Sequence, residues 1–172
     1  AAGNTVLVAP GTYKENIIWP DVNGIKLMSA GDSSNTIIDG GGTSVVIYMN
    51  PSSATIDTTT LIQGFKITNG GSFAYGGGFF IKSSSPKLLE LHVTDNKATN
   101  TGNGFYIDSK IKDGLPAPAS APYLDKVVIE NNSSNSSITG GGMYVLNSNP
   151  LIRNSKIRYN NSDSDGGGIK FD

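Results

Sequence analysis

Apolar and polar residues alternate in short runs along this chain, and from Gly76 onward the runs recur in a common register. In GGGFFIKSSSPKLLELHVTDNKATNT, Gly76 to Thr101, the alternation puts Phe79 and Ile81 on one side of an extended chain and Phe80 on the other. Further cycles open at Gly102, Gly140 and Gly166. Laid over one another they form a column Phe79, Phe105, Met143, Ile169 and a second column Ile81, Ile107, Val145, Phe171. Beyond Pro86, Pro122 and Pro150 come Leu88, Leu124, Ile152, then Leu91, Val127, Ser155, then Val93, Ile129, Ile157. Three residues after each member of the last set stands an asparagine: Asn96, Asn132, Asn160. The first and third cycles are 26 residues long and the second 38, with ten extra residues before Pro122 and two before Gly140.

Period-two alternation predicts strands with one buried face, and no segment carries a helical stripe with caps. A single cycle cannot bury its own apolar face, so successive cycles are expected to stack as a coil held by strand pairing. The glycine triplets then serve sharp corners with positive φ and the close approach of the neighbouring turn. Asn96, Asn132 and Asn160 are expected to point inward at another corner, to tolerate left-handed backbone there and to hydrogen-bond along the coil axis as a structural ladder.

The repeat resembles the right-handed parallel β-helix of pectin-lyase-like proteins. Its GG-x-I and (V/I)-x-x-N pairs are similar to repeats of bacterial and archaeal surface proteins. TVLVAPGTYKENIIWPDVNGIKLMSAGDSSNTIIDGG, Thr5 to Gly41, looks like the opening of such chains. The resemblance implies an all-β solenoid of about 26 residues per turn with little or no helix, as one domain over residues 1–172. Residues 1–31 do not fit the cycle and are expected to cap one end, with Trp19 and Met28 helping to cover it. Residues 32–75 are expected to form irregular early turns, and 76–172 the regular ones. The insertion near 110–121 is rich in Pro and Ala and predicts a stiff, extended protrusion. Because Asp172 falls inside a cycle, the chain is expected to be a piece of a longer solenoid, or to associate end to end with another molecule.

Composition narrows the function. A net charge of −1 with no clustering of Lys and Arg argues against nucleic acid as a partner. No apolar run approaches the roughly 20 residues that span a bilayer. Without cysteine there is no disulfide, thiol nucleophile or Cys-ligated metal. With the resemblance, this composition points to an extracellular or cell-surface prokaryotic protein.

The enzymes of the resembled fold supply patterns to test. Esterase chemistry there expects glutamine-bearing strands and an Asp in a Gln-Asp-Thr context, where this chain has GFKITNGGSFAYGGGFFI and HVTDNKAT. Hydrolase chemistry needs clustered carboxylates with a His and an Arg-x-Lys. The single His92 instead shares its column with Val128 and Lys156. For a lyase-like Ca²⁺ site the candidates are Asp163 and Asp165, with Arg158 as the base, and they fall short of the six to eight oxygen ligands that calcium takes.

Binding has better candidates. Phe80, Tyr106 and Tyr144 form an outward column ahead of Lys170. Exposed, such rings would stack on sugars; packed across strands, they would only stabilise the sheet. The expected function is therefore a non-catalytic structural, adhesive or glycan-binding role at the cell surface. The alternatives are the N-terminal part of a polysaccharide-active enzyme and a self-assembling fibre or sheath subunit.

Overall fold

The alternating runs become short strands, three to a turn. The computed structural model describes residues 3–53, 55–109, 111–112, 115–116, 120–133 and 139–172. Turn one comprises β1 (Thr5–Val8), β2 (Gly11–Lys14) and β3 (Ile17–Ile18). Turn two has β4 (Lys26–Ser29), β5 (Thr36–Asp39) and β6 (Ile47–Met49), and turn three β7 (Leu61–Gln63), β8 (Lys66–Thr68) and β9 (Phe79–Lys82). Turn four has β10 (Lys87–Leu89), β11 (His92–Thr94) and β12 (Phe105–Asp108), followed by an antiparallel pair, β13 (Ile111–Lys112) with β14 (Leu115–Pro116). Turn five has β15 (Tyr123–Asp125), β16 (Val128–Glu130) and β17 (Met143–Leu146), and turn six β18 (Leu151–Arg153), β19 (Lys156–Arg158) and β20 (Ile169–Phe171).

Like strands stack on like. Sheet one runs β1-β4-β7-β10-β15-β18, sheet two β2-β5-β8-β11-β16-β19 and sheet three β3-β6-β9-β12-β17-β20, with every pair parallel. The protein is a right-handed parallel β-helix, and the described residues contain no helix. The register is the expected one. Phe105 pairs with Phe79 and Met143, and Met143 with Ile169. The rings of Phe79 and Phe105 stack inside the coil with centroids 4.7 Å apart, and both are fully buried. Burying such a side chain stabilises the fold by about 1.5–3 kcal/mol.

The asparagine ladder forms as expected. Asn96 Nδ2 donates to Asn132 Oδ1 at 3.0 Å, and Asn132 Nδ2 donates to Asn160 Oδ1 at 2.9 Å. Each acceptor oxygen also takes the backbone N–H of the asparagine before it, at 3.1 Å in both cases. Asn96 Oδ1 in turn accepts from Gly70 N, which carries the ladder to turn three. Asn96 and Asn132 are fully buried. One expectation is corrected: the left-handed backbone belongs to the residue before each ladder asparagine, at Asp95 (φ 56°), Asn131 (φ 55°) and Tyr159 (φ 56°). That residue turns the corner, and the next can then aim its amide inward.

The corner glycines divide their work. Gly102 has φ +68°, and its added Cβ would strike the Phe105 carbonyl. Gly104 has no such φ, but its Cβ would run into the Gly142 carbonyl oxygen of the next turn. The first glycine makes the corner and the third permits the stacking distance.

The opening residues enter the coil as its first turn. Thr5 lies opposite Lys26, Gly11 opposite Thr36 and Ile17 opposite Ile47, so they form a complete turn in register. Trp19 packs in the core, and Met28, opposite Gln63, joins sheet one instead of covering an end. Residues 32–75 likewise supply regular strands; only their loops are irregular. Ile17 to Ile47 spans 30 positions and Ile47 to Phe79 spans 32, against 26 from Phe79 to Phe105. Within the insertion, residues 111–112 and 115–116 pair antiparallel as β13 and β14; residues 110, 113–114 and 117–119, which hold most of the Pro-Ala run behind the expected protrusion, lie outside the described residues.

Candidate functional site

Alternation along β9, β12 and β17 turns Phe80, Tyr106 and Tyr144 away from the core, in register as expected. Tyr48 on β6 extends the column by one turn. Neighbouring rings lie nearly parallel: Tyr48 and Phe80 at 4.8 Å, Phe80 and Tyr106 at 5.2 Å, Tyr106 and Tyr144 at 5.7 Å. Of the two arrangements open to these rings, packing across strands is the one formed at Phe80 and Tyr106. Phe80 and Tyr106 are each only 7 % exposed. Phe73, from the loop before β9, sets its edge against Tyr48 and Phe80 at 5.9 Å, and Tyr75 leans on Tyr106 at 5.0 Å. Val45, Phe80 and Tyr106, with Tyr48, Phe73 and Tyr144 packed against them, form a second apolar cluster outside the coil. The faces of Phe80 and Tyr106 are spent on their neighbours, which is the cross-strand packing arrangement.

Each end of this stack is different. At the turn-six end, the Tyr144 hydroxyl donates to Asp172 Oδ2 at 2.7 Å, and Lys170 Nζ lies 3.3 Å from Asp172 Oδ1. The bond to the Asp172 carboxylate, with partial burial, pushes the Tyr144 hydroxyl up to about 12. Burial, with the Asp108 carboxylate second, pushes the Tyr106 hydroxyl up as well. Asp108 itself is buried and paired with Lys82 at 3.0 Å.

At the turn-one end the stack opens into a pocket of about 450 Å³. Tyr48 and Phe73 form two of its walls at an interplanar angle of 89°. Ile17, Ile18 and Val45 complete the apolar lining, and Asn16 and Ser44 are its polar members. Asn16 fixes the wall: its Nδ2 donates to the Val45 carbonyl at 3.1 Å and the Gly40 carbonyl at 3.3 Å, and its Oδ1 accepts from Thr43 Oγ1 at 3.0 Å. The Tyr48 hydroxyl accepts from Asn50 Nδ2 at 3.0 Å. Ile18 pairs with Tyr48 across β3 and β6 and is 78 % exposed, so it leaves the outer face of the ring incompletely covered.

The polar face of sheet two holds a further group. His92 Nε2 lies 2.8 Å from Glu130 Oε1, and Arg158 Nε donates to Glu130 Oε2 at 2.6 Å. The Arg158 guanidinium, with His92 behind it, holds the Glu130 carboxyl below the usual range. Reading His92 only against Val128 and Lys156 missed this pair, because Glu130 sits diagonally, opposite Thr94. Asp163 and Asp165 are both exposed; Asp165 Oδ2 lies 3.7 Å from Lys170 Nζ, and Arg158 is engaged with Glu130. Among the described residues no group of three or more His, Cys, Asp or Glu is placed to hold a metal ion.

Tyr48, Phe73 and Tyr75 were not legible as parts of the column, because they lie before the regular cycles. The signal for Tyr48 was present: VVIYM, Val45 to Met49, alternates as FFIK does, 32 positions before Phe80. No protein-family model matches the sequence, and neither a curated protein nor a solved structure matches it.

Proposed function

We propose that this β-helix is a non-catalytic structural and adhesive segment of a secreted or cell-surface prokaryotic protein, engaging polysaccharide through its side faces. The pectin-lyase-like resemblance of its repeats belongs to the same proposal. The observation that supports it best is how the outward side chains are used. They are tied from turn to turn: Gln63 to Glu90 and Glu90 to Lys126, Asp125 to Asn154, His92 and Arg158 to Glu130, and the four stacked rings. Glu90 is held low by the Gln63 and Lys126 bonds, and Asp39 by the Gly41 N–H, so these carboxylates stay ionised as partners. A general acid at neutral pH requires the opposite shift. Such cross-linked faces make a rigid rod with a fixed surface, which suits display and adhesion.

The test is retention on immobilised neutral and acidic polysaccharides, with an assay of the eluate for new reducing ends and unsaturated products. Retention without product is expected. Released product would replace this reading with the enzymatic one, and failure to be retained on any polysaccharide would remove the glycan from it.

A further inference from the structure

We infer that the pocket at the turn-one end of the ring stack is a subsite for one neutral pyranose ring of a glycan; this rests on the polysaccharide-binding reading above. Three features select that ligand. The first is a Tyr48 face with no ring stacked on it among the described residues. The rings of the column repeat at 4.8–5.7 Å, and beyond Tyr48 the next ladder position holds Ile18, which is mostly exposed and not a ring. One face of Tyr48 packs on Phe80, while the side toward β3 lines the pocket. A ring seated there continues the column and meets the wall of Phe73 with its edge. A pyranose presents an apolar C–H face suited to such an aromatic surface.

The second feature is the donor set. Ser44 is half-buried at the pocket, and its hydroxyl has no hydrogen bond among the described residues. The Tyr48 hydroxyl accepts from Asn50 and keeps its own proton to give. An aliphatic ligand would cover these hydroxyls without satisfying them, at a cost. The hydroxyl rim of a sugar satisfies them. The third feature is charge. None of the lining residues is a Lys, Arg, Asp or Glu, so a uronate carboxylate would enter a largely apolar site unpaired. The ligand is therefore neutral. The volume of about 450 Å³ is within the ordinary range for small-molecule sites and holds one ring with its substituents.

The test uses cellotetraose, xylotetraose and mannotetraose as neutral probes and tri-galacturonate as the anionic one. Saturation-transfer NMR and calorimetry would be run on wild type, Ser44→Leu and Phe73→Ala, each checked by thermal melting. Ser44→Leu removes the hydroxyl and fills the pocket from a loop position, while Phe73→Ala removes the wall. At least one neutral tetraose should bind at least tenfold more tightly than tri-galacturonate, with saturation passing from aromatic protons to one sugar unit. Both variants should lose that binding by tenfold or more. Unchanged affinity in a folded Ser44→Leu protein, preference for tri-galacturonate, or no binding of any neutral tetraose would overturn the inference. If wild type and Ser44→Leu are retained equally on a polysaccharide column, the pocket fails while the adhesive reading stands. If wild type is retained on none, both fail.

Discussion

Sheet three carries two ring columns back to back on the same strands, and they are built differently. The inner one, Phe79 on Phe105, is enclosed by all three sheets and is fully buried. The outer one, Tyr48 through Tyr144, is enclosed only because Phe73, Tyr75 and Val45 fold over it from loops. Strand alternation decides which side a residue faces; loops decide whether that side stays wet. The sharpest test truncates adjacent residues of β12. Phe105→Ala should cost roughly 3–5 kcal/mol, as large core truncations do. Tyr106→Ala should cost about 2–3 kcal/mol, since its loss can be partly made up by loop closure and water. Urea unfolding of both variants gives the answer, and equal costs would make the outer cluster a second core in all but position.

The asparagine ladder sharpens the contrast with a polar column that is as enclosed as the inner rings. Asn132→Ala removes the acceptor of the Asn96 N–H and the amide that reaches the Val93 carbonyl. Leaving a buried donor unpaired costs about 1–3 kcal/mol, so a loss of roughly 2–3 kcal/mol is expected. Asn160→Ala, at a half-buried rung, should cost less. The order of the two unfolding midpoints is the readout; a reversed order would show that enclosure does not govern the ladder.

The parts legible in the sequence are those with a period. The inner columns, the outward direction of Phe80, Tyr106 and Tyr144, and the three ladder asparagines all came from one alignment of cycles. What escaped it came from loops of unequal length. Turns one to three hold the same three strands but space them 30 and 32 apart, so they looked irregular. Phe73 and Tyr75 sit in such a loop, and nothing in a two-residue alternation shows that a loop folds back over a sheet. The His92–Glu130 contact was hidden for a similar reason, since it runs diagonally between columns.

A smaller effect is expected at the corner between sheets one and two, where neither column is touched. Gly64 (φ 81°), Glu90 (φ 54°), Lys126 (φ 55°) and Asn154 (φ 47°) occupy successive turns of that corner. Left-handed backbone costs most residues about 1–2 kcal/mol and glycine almost nothing. Glycine also loses more chain entropy on folding. Lys126→Gly should therefore stabilise the protein by a net of about 0.5–1 kcal/mol, minus a weak exposed pair with Glu90. Thermal melting should show a rise, and a fall would mean that the Lys126 side chain contributes more than its exposure suggests.

The smallest effect separates the dry outer face of sheet three from the wet outer face of sheet two. Glu130 is held below the ordinary glutamate value, about 4.3, first by its bond from Arg158 and then by His92. A group whose folded value is lowered stabilises the fold above the unfolded value and loses that contribution as pH falls through the folded one. The Arg158 side chain is 49 % exposed, so the pair is expected to lie in the range of surface bridges, about 0.2–1 kcal/mol. Glu130→Gln should lower the urea midpoint slightly at pH 7, and the gap from wild type should close as pH falls through the acidic range. Salt should narrow it at neutral pH, because exposed charges are screened. Truncation at Tyr106 should depend less on either, since what it removes is mainly ring packing, with a single long bond to the Asp108 carboxylate. A gap at Glu130 that persisted unchanged in acid and in salt would assign its role to packing and place both outer faces under one rule.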